Sequence, residues 1–400
     1  MASPMKLILD VESVHGNLTG IGRYTYELAI RMPKEVSGSV KYWNGFSFQD
    51  GPVVFPQHEG EFNYIANMIR KIMFSRIASK FIKLVPRFLK NPVKRRLEFI
   101  LFSGGSAKLG DYADYVFHGP NFSLPDHGGK KVVTIHDLSV FRFPEYHPKD
   151  RVKFMSSEVP KALEAADAII VISEFTRNEL LEYYPWAESK ISVVPNGVSK
   201  PRQLDFTSKD SRCLRKLSLN RNKFFLCVST IEPRKNLSLL VDAYLNLPSE
   251  FREEFPLVLV GGNGWKSTEL IEKINSAMSR GVRYLGYVDQ CVLESLYKSA
   301  RTFVFPSLYE GFGLPAIEAM AYGLPVVCAR STAVSEVCGG DAMEFSGDSV
   351  SELTASLSLL CVDDELIARM SRASFERARK YSWERCCKET ALVYRSAMEG

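Results

Sequence analysis

No apolar run in this 400-residue chain approaches the roughly 20 residues that a bilayer-crossing helix needs. A membrane-spanning protein is therefore not expected. The eight cysteines show no C-x-x-C spacing, and Cys386 and Cys387 are simply adjacent. In a chain this long, that usage argues for reduced, mostly buried thiols and against a zinc site or a disulfide framework. There is no D-x-D motif and no paired-histidine motif, so nothing supplies a divalent-cation site, and no metal is expected. The amino terminus, "MASPMKLILDV", enters a strand-like run without the charged, apolar and small-residue parts of a signal peptide. The expected location is the cytoplasm.

Acids are missing from one place. Residues 70–96 hold ten Lys/Arg and no Asp or Glu. Residues 1–200 carry 26 basic and 21 acidic residues against 25 and 25 in residues 201–400, so this segment alone makes the protein basic, at net +5. Arg76, Lys80, Lys83, Arg87, Lys90 and Lys94 recur at spacings of three and four, beside an apolar stripe of Ile72, Ile77, Phe81, Leu84 and Phe88. Pro86 and Pro92 must break or bend any helix there. A charge run is usually a solvated face. One without acids suits an anionic membrane surface, with each basic residue adding about 1 kcal/mol. Peripheral docking is the expectation. Nucleic acid is the rival partner, but no recognition motif or paired aromatic platform supports it.

What is present is a regular alternation of strands and helices. Strand-like runs fall at 6–11, 40–44, 114–118, 131–136, 168–172 and 191–195, then at 224–229, 256–260, 282–287, 302–306 and 325–329. Helical patterns occupy 20–32, 62–85, 150–165, 236–246, 266–279 and 290–299. The fold class is α/β, with parallel doubly wound sheets. Four hundred residues exceed one hydrophobic core, and turn formers at 193–210 mark a boundary. Residues 1–200 and 201–382 are expected as two Rossmann-like domains facing a cleft, with a final helix at about 383–400 returning to the first. Strand carboxyl ends and helix amino ends would line that cleft and favour phosphates.

Four stretches at strand ends carry chemistry. "SLYEGFGLPAIEAM" (307–320) sets Glu310 on a loop and Glu318 inside a helix, around a glycine turn with Pro315 suited to the helix start. A solvated glutamate pair is the bland reading. The glycine insert after a buried strand favours an anion between the two acids, Glu318 accepting from a diol and Glu310 reaching a sugar hydroxyl or the reacting carbon. "STIEPRKNL" (229–237) puts Arg234 and Lys235 at a strand end, where two cations would neutralise a diphosphate. "NLTGIGRYTYEL" (17–28) offers Gly20 and Gly22 but lacks the third glycine of a dinucleotide fingerprint, so nicotinamide chemistry is rejected. "VVTIHDLSVFRFPEYHP" (132–148) brings out His136 and Asp137 where another strand ends. A lone histidine of this kind is more often structural.

With those residues in place, the chain resembles the family-four retaining glycosyltransferases of the GT-B fold. The likeness covers nearly the whole chain and is strongest in 303–327, "EPRKNL", "VVPNGV", "HDLSVFRFPEYHP" and "ADAIIVISEFTRNEL". The resemblance implies that Glu310 contacts the transferred sugar, Glu318 holds the nucleotide ribose, and Arg234 with Lys235 clamps the diphosphate. Amides of Gly313 and Leu314 would assist the leaving group, and His136 would face the donor sugar. Gly20 and Gly22 would close over the phosphate, with Tyr287 and Val288 of "GYVD" near the base. Arg23 and His15 are candidate acceptor contacts. One departure matters: many members carry Gly-Arg where this chain reads Ser229-Thr230, so either Arg234 supplies the missing cation or the clamp is weaker than usual.

The implied reaction is metal-independent, with configuration retained. The variants of these motifs resemble bacterial surface-polysaccharide (O-antigen) mannosyl- and rhamnosyltransferases. They imply a GDP-sugar donor, mannose or a deoxymannose, and a lipid-linked or growing glycan acceptor. The alternatives are an epimerase or hydrolase of the same fold, told apart by donor turnover without acceptor, or a non-catalytic partner binding sugar nucleotide or membrane.

Overall fold

The computed structural model describes residues 4–14, 20–45, 48–49, 109–201, 203–330 and 332–399. His15 and the basic run from Arg76 to Lys94 lie outside the described residues.

The first sheet has the strand order β3-β2-β1-β4-β5-β6-β7. Its strands are β1 (Leu7–Asp10), β2 (Val40–Trp43), β3 (Phe48–Gln49), β4 (Val116–Gly119), β5 (Lys131–Ile135), β6 (Ala168–Val171) and β7 (Ile191–Val193). β1 pairs in parallel with β2 and β4, and β4 with β5, while the two-residue β3 runs antiparallel at the edge. The second sheet has the order β10-β9-β8-β11-β12-β13. It comprises β8 (Phe225–Val228), β9 (Leu257–Val260), β10 (Val282–Tyr284), β11 (Thr302–Phe305), β12 (Val326–Ala329) and β13 (Met343–Phe345), all paired in parallel.

Periodicity explains the second core. Phe225, Cys227, Leu257, Leu259, Val304 and Val327 join one apolar cluster, while Leu226, Val258, Phe303, Phe305 and Val326 join another. Alternate residues point to opposite faces, so a sheet covered on both sides needs continuous apolar strands such as "LVLV".

In each sheet the order reverses beside the first strand, between β1 and β4 and between β8 and β11. Loops leaving the carboxyl ends at such a switch point diverge and leave a crevice for a ligand.

By compactness the chain divides into Met1–Thr134 with Lys161–Ile169 and Cys387–Gly400, and Ile135–Pro160 with Ile170–Cys386. The expected boundary at residue 200 lies between β7 and β8, whereas the compact division assigns 135–160 and 170–200 to the second unit. The helix Trp383–Glu399 contributes Cys387 onward to the first. There Tyr394 meets Nδ1 of His118 at 2.7 Å, and His118 Nε2 meets Thr134 at 2.8 Å. All eight cysteines are free thiols, six of them buried. Among the described residues no helix is long and apolar enough to cross a membrane.

Candidate active site

β8 and β11 are neighbours, Leu226 opposite Phe303, and both end at the switch point of the second sheet. Their loops carry the expected charges. Pro233 opens a tight turn, Pro233–Lys235, that ends on Asn236 with φ 55°. This turn brings Arg234 and Lys235 onto the loop following β11, where the Arg234 carbonyl accepts the Leu308 amide at 3.0 Å.

Glu310 is the meeting point. Its Oε1 accepts from Lys235 Nζ, and its Oε2 faces Arg234 Nη1 at 3.3 Å. The side chains of all three are about 12–13% exposed. Burial alone would raise the Glu310 pKa. The charges of Lys235 and Arg234 outweigh it and hold the carboxyl below its usual range. Arg234 Nη1 also donates to the Tyr309 carbonyl at 2.6 Å and Nη2 to Glu232 at 2.7 Å. Its Nε is buried without a partner among the described residues. Lys235 Nζ lies 5.5 Å from the centre of the Phe305 ring. The result is a cationic pair held by two buried acids at a strand switch point.

The His136 loop is tied to the same place. A β-carbon on Gly311 would lie 1.8 Å from the His136 carbonyl oxygen, so only glycine permits this approach. The Gly311 carbonyl accepts from Ser173 Oγ at 2.7 Å and Thr176 Oγ1 at 3.3 Å, at the start of the helix Glu174–Tyr183. Asp137 takes the amide and hydroxyl of Ser139 at 2.9 and 2.7 Å. Burial opposes its ionised form, yet the Arg234 charge and those two bonds hold its pKa below the ordinary value. His136 itself is 5% exposed.

Gly313 starts the helix Leu314–Ala321 with φ 93°, and a β-carbon there would come within 2.7 Å of Val334. Pro315 has no N–H, so Leu314 supplies the amide of the first two helical positions. Glu318 lies one turn along, with the hydroxyl of buried Tyr297 at 3.4 Å from its Oε2. Tyr287 is 64% exposed, whereas Val288 packs against the apolar cluster of this unit. In the first unit, Gly20 opens the helix Gly20–Glu35, Gly22 is buried, and Arg23 pairs with Glu27 at 3.0 Å. The structure thus joins Glu310, Arg234, Lys235 and the His136 loop. It sets Glu318 further along the same segment and Tyr287 at the surface.

Three residues escaped the sequence reading. Glu232 stands inside the "EPRK" run, beside the two cations. Tyr309 directly precedes Glu310, and its hydroxyl donates to Glu179, 130 positions away. Asp10, at the carboxyl end of β1, accepts the Glu12 amide at 2.9 Å. Burial raises its pKa to about 7, against help from that bond, with Glu12 adding a like charge. An acid after the first strand was the only signal for it. Among the described residues no three His, Cys, Asp or Glu side chains gather to hold a metal ion.

Two doubly wound sheets with such a site define the GT-B class. The crystal structure of Anabaena HepE with UDP and glucose matches 98% of this chain and all of its own, at TM-score 0.66 and 16% identity. That of WaaG, a glycosyltransferase involved in lipopolysaccharide biosynthesis, matches 97% and 99%, at TM-score 0.64 and 12% identity. Residues 214–377 match the family described as glycosyl transferases group 1, and residues 53–202 match glycosyltransferase family 4. The Escherichia coli O-antigen chain mannosyltransferase B is 35% identical over 396 residues, covering 98% of this chain and 100% of that protein. The serotype-specific mannosyltransferase WbdA of Escherichia coli is 28% identical over 64% of this chain and 32% of its own length. The protein belongs to the group 1/family 4 glycosyltransferases of the GT-B fold.

Proposed function

We propose that the protein transfers a hexose, mannose or a deoxymannose, from a GDP-sugar to a lipid-linked or growing glycan in bacterial surface-polysaccharide synthesis. The observation that carries this reading is Glu310 shared between Lys235 and Arg234 at the β8/β11 switch point. The O-antigen mannosyltransferase likeness supports the sugar, and the UDP complex of HepE supports a nucleotide-linked donor.

A diphosphate entering here competes with Glu310 for the two cations and frees the carboxylate toward the sugar. The acceptor hydroxyl bonds to the anomeric carbon and gives its proton to the departing diphosphate, while the bond to the β-phosphate oxygen breaks, with configuration retained. Arg234, Lys235 and the Leu314 amide stabilise the charge on the departing diphosphate. These groups supply the charge that a metal ion supplies elsewhere, so metal independence belongs to the proposal. Glu318 holds the ribose diol, and His136 faces the sugar. Gly20 and Gly22 approach the phosphate, Tyr287 and Val288 lie by the base, and Arg23 and His15 touch the acceptor. The basic run Arg76, Lys80, Lys83, Arg87, Lys90 and Lys94 docks on an anionic membrane. Reversing those charges should abolish sedimentation with anionic liposomes.

A thermal-shift panel of GDP-, UDP- and ADP-sugars, with and without chelator, tests the donor. At 100 times the dissociation constant a ligand stabilises the fold by about 2.7 kcal/mol. A chelator-resistant shift confined to GDP-sugars is expected. A folded sample that shifts with none of them contradicts the reading.

A further inference from the structure

The helix Glu174–Tyr183 is followed by a tight turn, Pro185–Lys190, and the short helix Ser139–Arg142 meets the end of the first of these through Phe141 and Arg142. Together they gather four aromatic rings. Phe141 lies 5.7 Å from Tyr183 and 6.4 Å from Tyr184, and Tyr184 lies 6.3 Å from Trp186. Tyr183 and Tyr184 are 6.4 Å apart. Two of these rings are open to solvent: Trp186 is 49% and Tyr183 38% exposed. Large aromatics normally bury most of their surface, and an exposed group of them marks a binding surface.

Charge selects the occupant. The rings are bracketed by paired charges, Arg142 with Glu182 at 3.7 Å and Arg177 with Glu188 at 3.2 Å. Lys190 stands 5.8 Å from the Trp186 ring, with Glu174 near Arg177. The three acids match the three bases, so an anionic bilayer finds no net attraction. A neutral, hydroxyl-rich ligand fits both features. The C–H faces of a pyranose are apolar and slightly positive, and suit the negative face of an aromatic ring. Its hydroxyls reach the flanking carboxylates and guanidinium groups, which form charge-assisted hydrogen bonds. The platform is also continuous with the reacting loop. Phe143, two residues beyond Phe141, meets the Tyr309 ring at 5.6 Å, and Tyr309 precedes Glu310.

We propose that Phe141, Tyr183, Tyr184 and Trp186 form a glycan-binding platform that holds neutral sugar residues of the acceptor chain away from its reacting end. This deepens the transferase reading and rests on it. Binding there would make the enzyme favour long acceptors over short ones.

The test compares wild type with the double variant Tyr183→Ala/Trp186→Ala and with Trp186→Phe. The acceptors are mannose oligosaccharides of one to six units. Both variants change exposed side chains, and their melting temperatures should match wild type. The double variant should raise KM for the hexasaccharide at least tenfold and leave kcat on the shortest acceptor unchanged, while Trp186→Phe, which keeps a ring at that position, should stay close to wild type. An unchanged ratio of long- to short-acceptor KM overturns the platform. Loss of vesicle binding in place of that ratio also overturns it, in favour of a membrane surface. Tryptophan fluorescence titrated with mannohexaose reads the platform apart from transfer. Saturable quenching that disappears in the double variant supports it, and no quenching in wild type overturns it. A protein that quenches but transfers to no acceptor keeps the platform and loses the transferase reading.

Discussion

Tyr309 and Glu179, 130 positions apart, form a buried hydrogen bond in which the phenol donates, and the same hydroxyl accepts the Leu138 amide at 2.8 Å. Burial raises the Tyr309 pKa above its ordinary value, so the phenol keeps its proton. The carbonyl of Tyr309 meanwhile holds Arg234. One residue therefore fixes the loop after β5, the helix Glu174–Tyr183 and the cation beside Glu310.

Tyr309→Phe should strand the Leu138 amide and the Glu179 carboxyl, costing about 2 kcal/mol of stability. Small displacements at a reacting centre cost as much as ~100-fold in rate. We expect kcat to fall 10- to 100-fold with nucleotide affinity nearly unchanged. Steady-state kinetics beside a GDP titration checks this. A variant with full kcat would mean the latch is only structural.

Glu310→Gln removes the carboxylate charge from between Lys235 and Arg234. Transfer should drop at least ~1000-fold, as for loss of a group acting only in the transition state. Affinity for the bare nucleoside diphosphate should rise, because its phosphates no longer compete with Glu310. Calorimetry of GDP binding measures this. Weaker GDP binding would remove the cations from the phosphate site.

Gly311→Ala places a methyl carbon 1.8 Å from the His136 carbonyl, a contact between backbones that cannot turn aside. A cost of roughly 3 kcal/mol and loss of activity are expected. Gly262→Ala is the control, since a β-carbon there meets nothing within 4 Å. Denaturant unfolding of the pair should separate them. Equal stabilities would contradict the close approach.

Asp10 and Asp210 should tilt stability with pH in opposite directions. Asp10 titrates near 7 when folded against an ordinary 3.8, so the folded state keeps its proton longer. Its contribution is unfavourable once both states ionise, and stability falls as pH rises from about 4 to 7. Asp10→Asn should therefore gain on wild type over that range and not below it. Asp210 is buried, which opposes its charge. Its bonds from Thr207 and Ser295 and the charge of Lys298 nevertheless bring it down to about 2. That stability is present above about 4 and lost as pH falls toward 2, and Asp210→Asn should flatten the loss. Melting temperatures across pH 2–8 test both signs.

How much of this was legible beforehand varies with sequence distance. The strands of both sheets stood out because residues such as Leu257–Val260 are buried on both faces and read as unbroken apolar runs. The short strands Phe48–Gln49 and Met343–Phe345 did not, being too brief for periodicity to register. Glu310, Arg234 and Lys235 could be singled out locally, by Pro and Gly punctuation after apolar strands. Their mutual pairing could not, because it depends on β8 lying beside β11. Glu232 and the Tyr309–Glu179 bond belong to the same kind of information. His15 and the basic run lie outside the described residues, so those expectations stand as proposals.

Transfer itself is the decisive measurement. Purified protein is incubated with GDP-mannose, a mannose-terminated acceptor and chelator, and the product's new linkage is read by proton NMR. An α-linked product, matching the donor's anomeric configuration, is expected from wild type and not from Glu310→Gln. A β-linked product, a strict metal requirement, or undiminished transfer by Glu310→Gln would contradict the proposed reaction.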